Sequence, residues 1–153
     1  MTPPRGGAPS RAAAVLGVLA IGSLCAGPAF AANCSIGVIS VVFGTYNTLS
    51  PASLDGAGSV SVTCDATDSY TVALSSGQGS MTARRLLSGA NVMYYNLFTD
   101  AQRSMIWGDG TLGTALVSGS GTGATYTVYG RVPGGQNLPA GNYVDSITVT
   151  LDF

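Results

Sequence analysis

The chain has 153 residues, 46% hydrophobic and only 8% charged, enough for one domain with a single core. Six arginines face seven aspartates for a formal net charge of −1, so there is no basic footprint for nucleic acid. Histidine, lysine and glutamate are absent, which removes the commonest general base and metal ligand and with it most hydrolase constellations.

At the N-terminus Arg5 and Arg11 precede an uncharged apolar run, residues 12–26, that is short for a membrane span; Gly27-Pro28 breaks it before Ala29-Phe30-Ala31. This is the pattern of a secretory signal peptide over residues 1–31, cleaved after Ala31, with a mature domain over residues 32–153. An uncleaved anchor is the competing reading, but it leaves the small-x-small ending without a role. A lipid-modified Cys25 is disfavoured, because Leu24 precedes it and Gly22 sits three back, where a small and a large apolar residue are wanted. The mature domain keeps Arg84, Arg85, Arg103 and Arg131 against seven aspartates, a net charge of −3. A surface made polar by Ser, Thr, Asn and Gly associates readily, as suits a chain packed into an assembly; a solvated extracellular domain is the plainer alternative.

Export leaves Cys34 and Cys64 as the two cysteines of an oxidised chain, and they are expected to pair; two buried free thiols are the alternative. A bridge closing about 30 residues stabilises by roughly 3.5 kcal/mol in the loop-entropy model. Residues 36–43 and 92–99 are apolar on both sides, which reads as strands covered on both faces or set beside a partner. Val60, Val62 and Cys64 alternate with Ser59, Ser61 and Thr63, and Tyr70, Val72 and Leu74 with Thr71, Ala73 and Ser75. Tyr126, Val128 and Val132 alternate in the same way with Thr127, Tyr129 and Arg131. Gly, Asp, Ser and Pro clusters separate these runs, and no helical period of useful length occurs. Short strands at this spacing predict an all-β sandwich or a small barrel.

Candidate chemistry is sparse, and no metal or cofactor site is expected. Asp65 and Asp68 are the nearest carboxylate pair and read as turn formers after a strand. Trp107-Gly108-Asp109-Gly110-Thr111 resembles a calcium loop only in part and is expected to be a hairpin turn. Asn33-Cys34-Ser35 fits a glycosylation sequon of little weight. The strongest constellation is the C-terminus, where Tyr143, Ile147, Val149, Leu151 and Phe153 share one face of an expected strand over residues 143–153. Val144, Ser146, Thr148, Thr150 and Asp152 share the other. Its edge needs cover, either from another strand of the same domain or from a partner.

Phe43-Gly44-Thr45-Tyr46-Asn47, Val62-Thr63-Cys64-Asp65, Tyr95-Asn96-Leu97-Phe98-Thr99-Asp100-Ala101, Trp107 to Thr111, Tyr129-Gly130-Arg131-Val132-Pro133 and Pro139-Ala140-Gly141-Asn142-Tyr143 resemble spore coat protein U domains. That family includes Csu-type pilus subunits, and the resemblance covers residues 34–153. It implies an immunoglobulin-like β-sandwich lacking its last strand. A periplasmic chaperone would complete it with a lent strand, and a neighbouring pilus subunit would replace that strand at the outer-membrane usher. Residues Tyr143, Ile147, Val149, Leu151 and Phe153 would then border the groove that chaperone and subunit bind, and the protein would pass from periplasm to cell surface. One departure stands out. Only Ala32 and Asn33 precede Cys34 after the expected cut, too few for a donor segment, which points to a tip or terminal subunit that accepts a strand without giving one. Two other classes stay open, a small outer-membrane β-barrel, whose strands also alternate, or another secreted surface or coat protein. A secreted enzyme has only scattered aspartates and hydroxyls in its favour.

Overall fold

The computed structural model describes residues 32–153, so the expected signal peptide over residues 1–31, Cys25 included, lies outside the described residues. The alternating runs form six strands: β1 (Cys34–Val42), β2 (Leu54–Leu74), β3 (Arg84–Ser88), β4 (Asn91–Phe98), β5 (Val117–Val132) and β6 (Val149–Asp152). No helix occurs among the described residues. All pairings are antiparallel, in the order β1-β2-β5-β4-β3, with β6 also on β2.

The 21-residue β2 is the spine. Along one edge it pairs with β5 from Leu54↔Val132 to Val72↔Val117; the opposite edge takes β1 over its first half and β6 over residues 71–74. On either side of the irregularity at residues 63–68, even-numbered β2 residues share the inner face, so Val60, Val62, Cys64, Tyr70, Val72 and Leu74 are all buried. The sheet curls until these meet Met93, Tyr95 and Leu97 of β4, Val128 and Val132 of β5, and Trp107 in one apolar core. In β4, Met93, Tyr95 and Leu97 bury one face, while on the other Asn96 is buried and Tyr94 is 47% exposed, so the two-sided apolar pattern there marks a strand covered fully on one face and in part on the other.

Two local expectations are corrected. Asp65 and Asp68 do not sit in a turn, because β2 runs straight through them. The β2–β5 register shifts between Thr63 and Asp68, and the Asp65 carboxylate accepts the Asn33 N–H at 2.7 Å. Trp107 to Thr111 is not a hairpin turn but part of the connection between β4 and β5, held by burial of the indole. Trp107 has no exposed surface, its N–H donates to the Val72 carbonyl at 2.9 Å, and it bridges Ala115 in parallel. The energy of burying so large a ring outweighs the local turn preference.

A buried cation pins the same region. Arg84 has no exposed surface, and its guanidinium donates to Asn96 Oδ1 at 2.7 Å, to the Ser75 carbonyl at 2.9 and 2.8 Å, and to the Trp107 carbonyl at 2.8 Å. Burial pulls its pKa below the ordinary guanidinium value. Its planar fork ties the end of β2 to β4 and to the Trp107 loop, a geometry that an ammonium could not reproduce.

Candidate functional site

The first wall of the site is β1. Its inner edge pairs with β2 from the Cys34–Cys64 disulfide onward, the bridge joining directly opposed residues. Its outer edge has no strand partner among the described residues. Val38, Ile39 and Val42 are 58%, 69% and 73% exposed, so the two-sided apolar pattern here does not mark a strand covered on both faces.

A bulge shapes this wall. The β1–β2 register shifts between Ile39 and Val42, so the inward positions pass from Cys34, Ile36 and Val38 to Val41 and Phe43. Two glycines let the bulged backbone lie down on the sheet. A Cβ on Gly58 would collide with the Ile39 carbonyl, and one on Gly130 would stand 2.7 Å from the Phe43 ring and from Val41 Cγ1. Phe43 thereby reaches Tyr95, edge to face, with ring centroids 5.8 Å apart.

The second wall is the chain's last segment. Tyr143, Asp145, Ile147, Val149 and Leu151 are half-buried, while Val144, Ser146, Thr148, Thr150 and Asp152 are exposed, so the alternation expected from sequence holds. The continuous ladder is shorter than expected and covers Val149–Asp152 only. Upstream the segment is stitched at separate points. Val144 and Leu87 exchange N–H···O bonds of 2.8 and 3.0 Å, the Ser75 N–H donates to the Thr148 carbonyl at 3.0 Å, and the Thr148 N–H donates to Ser75 Oγ at 2.9 Å.

Between the walls lies a hollow of about 160 Å³, with Val38, Val41 and Phe43 on one side, Asp145, Ile147 and Val149 on the other, and Val60, Leu74, Leu86, Tyr95, Leu97 and Val128 as its floor. It runs into a wider open cleft of about 930 Å³ between residues 43–48 and 138–145. The lining of the hollow is mostly apolar, that of the cleft adds Thr45, Asn47, Thr48 and Asn142, and among the described residues one charge faces both. The Asp145 carboxylate accepts the Tyr95 O–H at 2.6 Å on Oδ2, and the Gln78 and Ser146 N–H groups at 3.0 and 2.8 Å on Oδ1. Burial and that bond raise the Tyr95 pKa, so the phenol stays protonated and donates.

Of the five residues singled out in the sequence, Ile147 and Val149 line the hollow and Tyr143 lines the wide cleft. Leu151 opposes Val72 in the ladder, and Phe153, 54% exposed, lies past its last pair; neither lines the groove. Sequence reasoning missed Asp145, although it has the parity of Tyr143 and Ile147. Sequence reasoning singles out no individual β1 residue, although the two-sided apolar pattern of residues 36–43 admits a strand set beside a partner.

A family model described as Spore Coat Protein U domain matches residues 20–150. Protein U of Myxococcus xanthus is 37% identical over 126 residues, covering 72% of this chain and 70% of that protein. A chain from the crystal structure of the CsuC-CsuE chaperone-tip adhesion subunit pre-assembly complex, from archaic chaperone-usher Csu pili of Acinetobacter baumannii, superposes with a TM-score of 0.60 at 22% identity. The match covers 80% of this chain and 40% of that one, so this chain spans less than half the length of its structural neighbour, and the likeness concerns the fold. With the family model matched over most of the chain and 37% identity to Protein U over 126 aligned residues, the chain belongs to the Spore Coat Protein U domain family.

Proposed function

We propose that this protein is an exported structural subunit of a chaperone-usher surface fibre, completed by a strand that another chain adds between β1 and residues 143–149. The observation that carries the reading is the apolar groove beside the unpaired outer edge of β1. An added strand would satisfy the open main-chain groups and fill the groove with alternate side chains, giving affinity and specificity together. The family, and a structural neighbour described as a chaperone–tip adhesion subunit complex, support it. In this reading residues 1–31 are a cleaved signal peptide, the protein assembles in the periplasm with a chaperone and an outer-membrane usher, and its work is binding rather than catalysis.

A terminal, strand-accepting position in the fibre belongs to the same proposal. If Ala32 begins the mature chain, Asn33 is already held to β2, donating its N–H to Asp65 Oδ1 at 2.7 Å and accepting the Asp65 N–H at 3.1 Å. That leaves one residue before the ladder, too short to cross a neighbour's groove at about 3.3 Å per residue. The test is expression of the full chain in the periplasm with and without its cognate chaperone. A soluble one-to-one complex with the chaperone and aggregation without it are expected. A monodisperse, stable monomer that ignores the chaperone would overturn the reading.

A further inference from the structure

We infer that the strand seated in this groove carries a cationic side chain, lysine or arginine, at the position facing Asp145, among otherwise apolar inward positions. The inference rests on the strand-accepting reading above and names the chemistry of its partner. Among the described residues, Asp145 is the only charged one lining either the hollow or the cleft, and with Val41, Phe43 and Leu86 it lines both. A carboxylate accepts at about four sites. Three are filled here by the Tyr95 hydroxyl and the Gln78 and Ser146 N–H groups, which leaves acceptor capacity on Oδ2.

In the open groove water meets that capacity. A covering strand expels the water; the buried Arg84 acts on the Asp145 charge from within the domain, but under an apolar residue the remaining acceptor site on Oδ2 goes unfilled, whereas a cation there makes a short, charge-assisted bond. The chain cannot supply that cation from a second copy of its own domain. It has no lysine. Arg84 is buried, Arg85 lies over the Tyr94 ring, and Arg103 and Arg131 are paired with Asp55. With Arg5 and Arg11 in the signal peptide proposed above, outside the described residues, the occupant is a different protein with a basic position in its donated strand.

Synthetic peptides of about ten residues, long enough at about 3.3 Å each to run the groove, test this. Each alternates valine with threonine and carries a single lysine or serine stepped through the valine positions, the unsubstituted peptide serving as the valine counterpart. Binding is read as release of the chaperone from the purified chaperone–subunit complex, at low and high salt. One lysine register is expected to bind at least about tenfold more tightly than its valine counterpart, with the advantage fading as salt rises and vanishing in Asp145→Asn. Lysine and valine peptides binding alike in every register overturn the basic-position inference and leave the acceptor groove standing. No binding by any peptide overturns both. The comparison among peptides on the unaltered domain decides the matter even if Asp145→Asn does not fold.

Discussion

Replacing Val149 with aspartate separates the stability of the domain from its capacity to take up a strand. Val149 opposes Leu74 at the head of β6 and faces β1 across the hollow. In the free domain it is half-buried, so an aspartate there keeps much of its hydration. The fold loses about 1–2 kcal/mol, from lost apolar cover and weaker strand preference. Once a strand covers the groove, the same carboxylate must lose its water without a partner, at several kcal/mol, and the valine's own contribution of about 1.5 kcal/mol is gone. A combined penalty of about 4 kcal/mol corresponds to roughly a 1,000-fold loss of affinity. The assay is periplasmic co-purification with the chaperone, alongside urea unfolding followed by circular dichroism, with Thr150→Ser on the exposed face as control. Val149→Asp should keep a cooperative urea transition when refolded at low concentration yet fail to be captured in the periplasm and aggregate there, and Thr150→Ser should behave as the parent. Capture of Val149→Asp at the parental level, with the fold intact, would refute the placement of Val149 in the recognised groove.

Arg84→Met should destabilise the domain by at least about 3 kcal/mol in urea unfolding, because Asn96 Oδ1 and the Ser75 and Trp107 carbonyls lose a buried donor. Arg84→Lys should recover only part of this, and a loss under about 1 kcal/mol in Arg84→Met would mean that water replaces the guanidinium. Gly58→Ala should cost about 1–3 kcal/mol by pushing the bulged β1 backbone off the sheet, and an unchanged melting curve would show that β1 does not lie there. The Asp55 carboxylate is held below its ordinary pKa, chiefly by the Arg131 hydrogen bond, which outweighs the opposing effect of burial, with the charges of Arg103 and then Arg131 adding to the lowering. A depressed folded pKa contributes stability above the unfolded value of about 3.9 and loses it as pH falls through the folded value. Unfolding measured from neutral to acid pH should therefore show parent and Asp55→Asn converging below about pH 4, by under ~1 kcal/mol because the pair is exposed. A gap that stays constant to low pH would exclude the ion pair as its source.

Much of the fold was legible in the chain because strand periodicity is a local property. The even-numbered residues of β2 and the alternation of residues 143–152 could be assigned to faces from side-chain order alone, and Cys34 and Cys64 could be paired from export and count. The family blocks, too, are ordered along the sequence. What tertiary structure decided was whatever depends on two segments meeting. The bulge after Ile39 reverses which β1 residues face inward, and it exists because Gly58 and Gly130, distant in the chain, leave room for the backbone to lie down. Arg84 reads as a surface cation until the curl of the sheet brings Asn96, Ser75 and Trp107 around it. Asp145 reads as a polar interruption in an apolar face until Tyr95 and Gln78 close on it beside β1. Periodicity tells a residue which side of its own strand it occupies; only the closed sheet decides what stands opposite, and the groove is made of those oppositions.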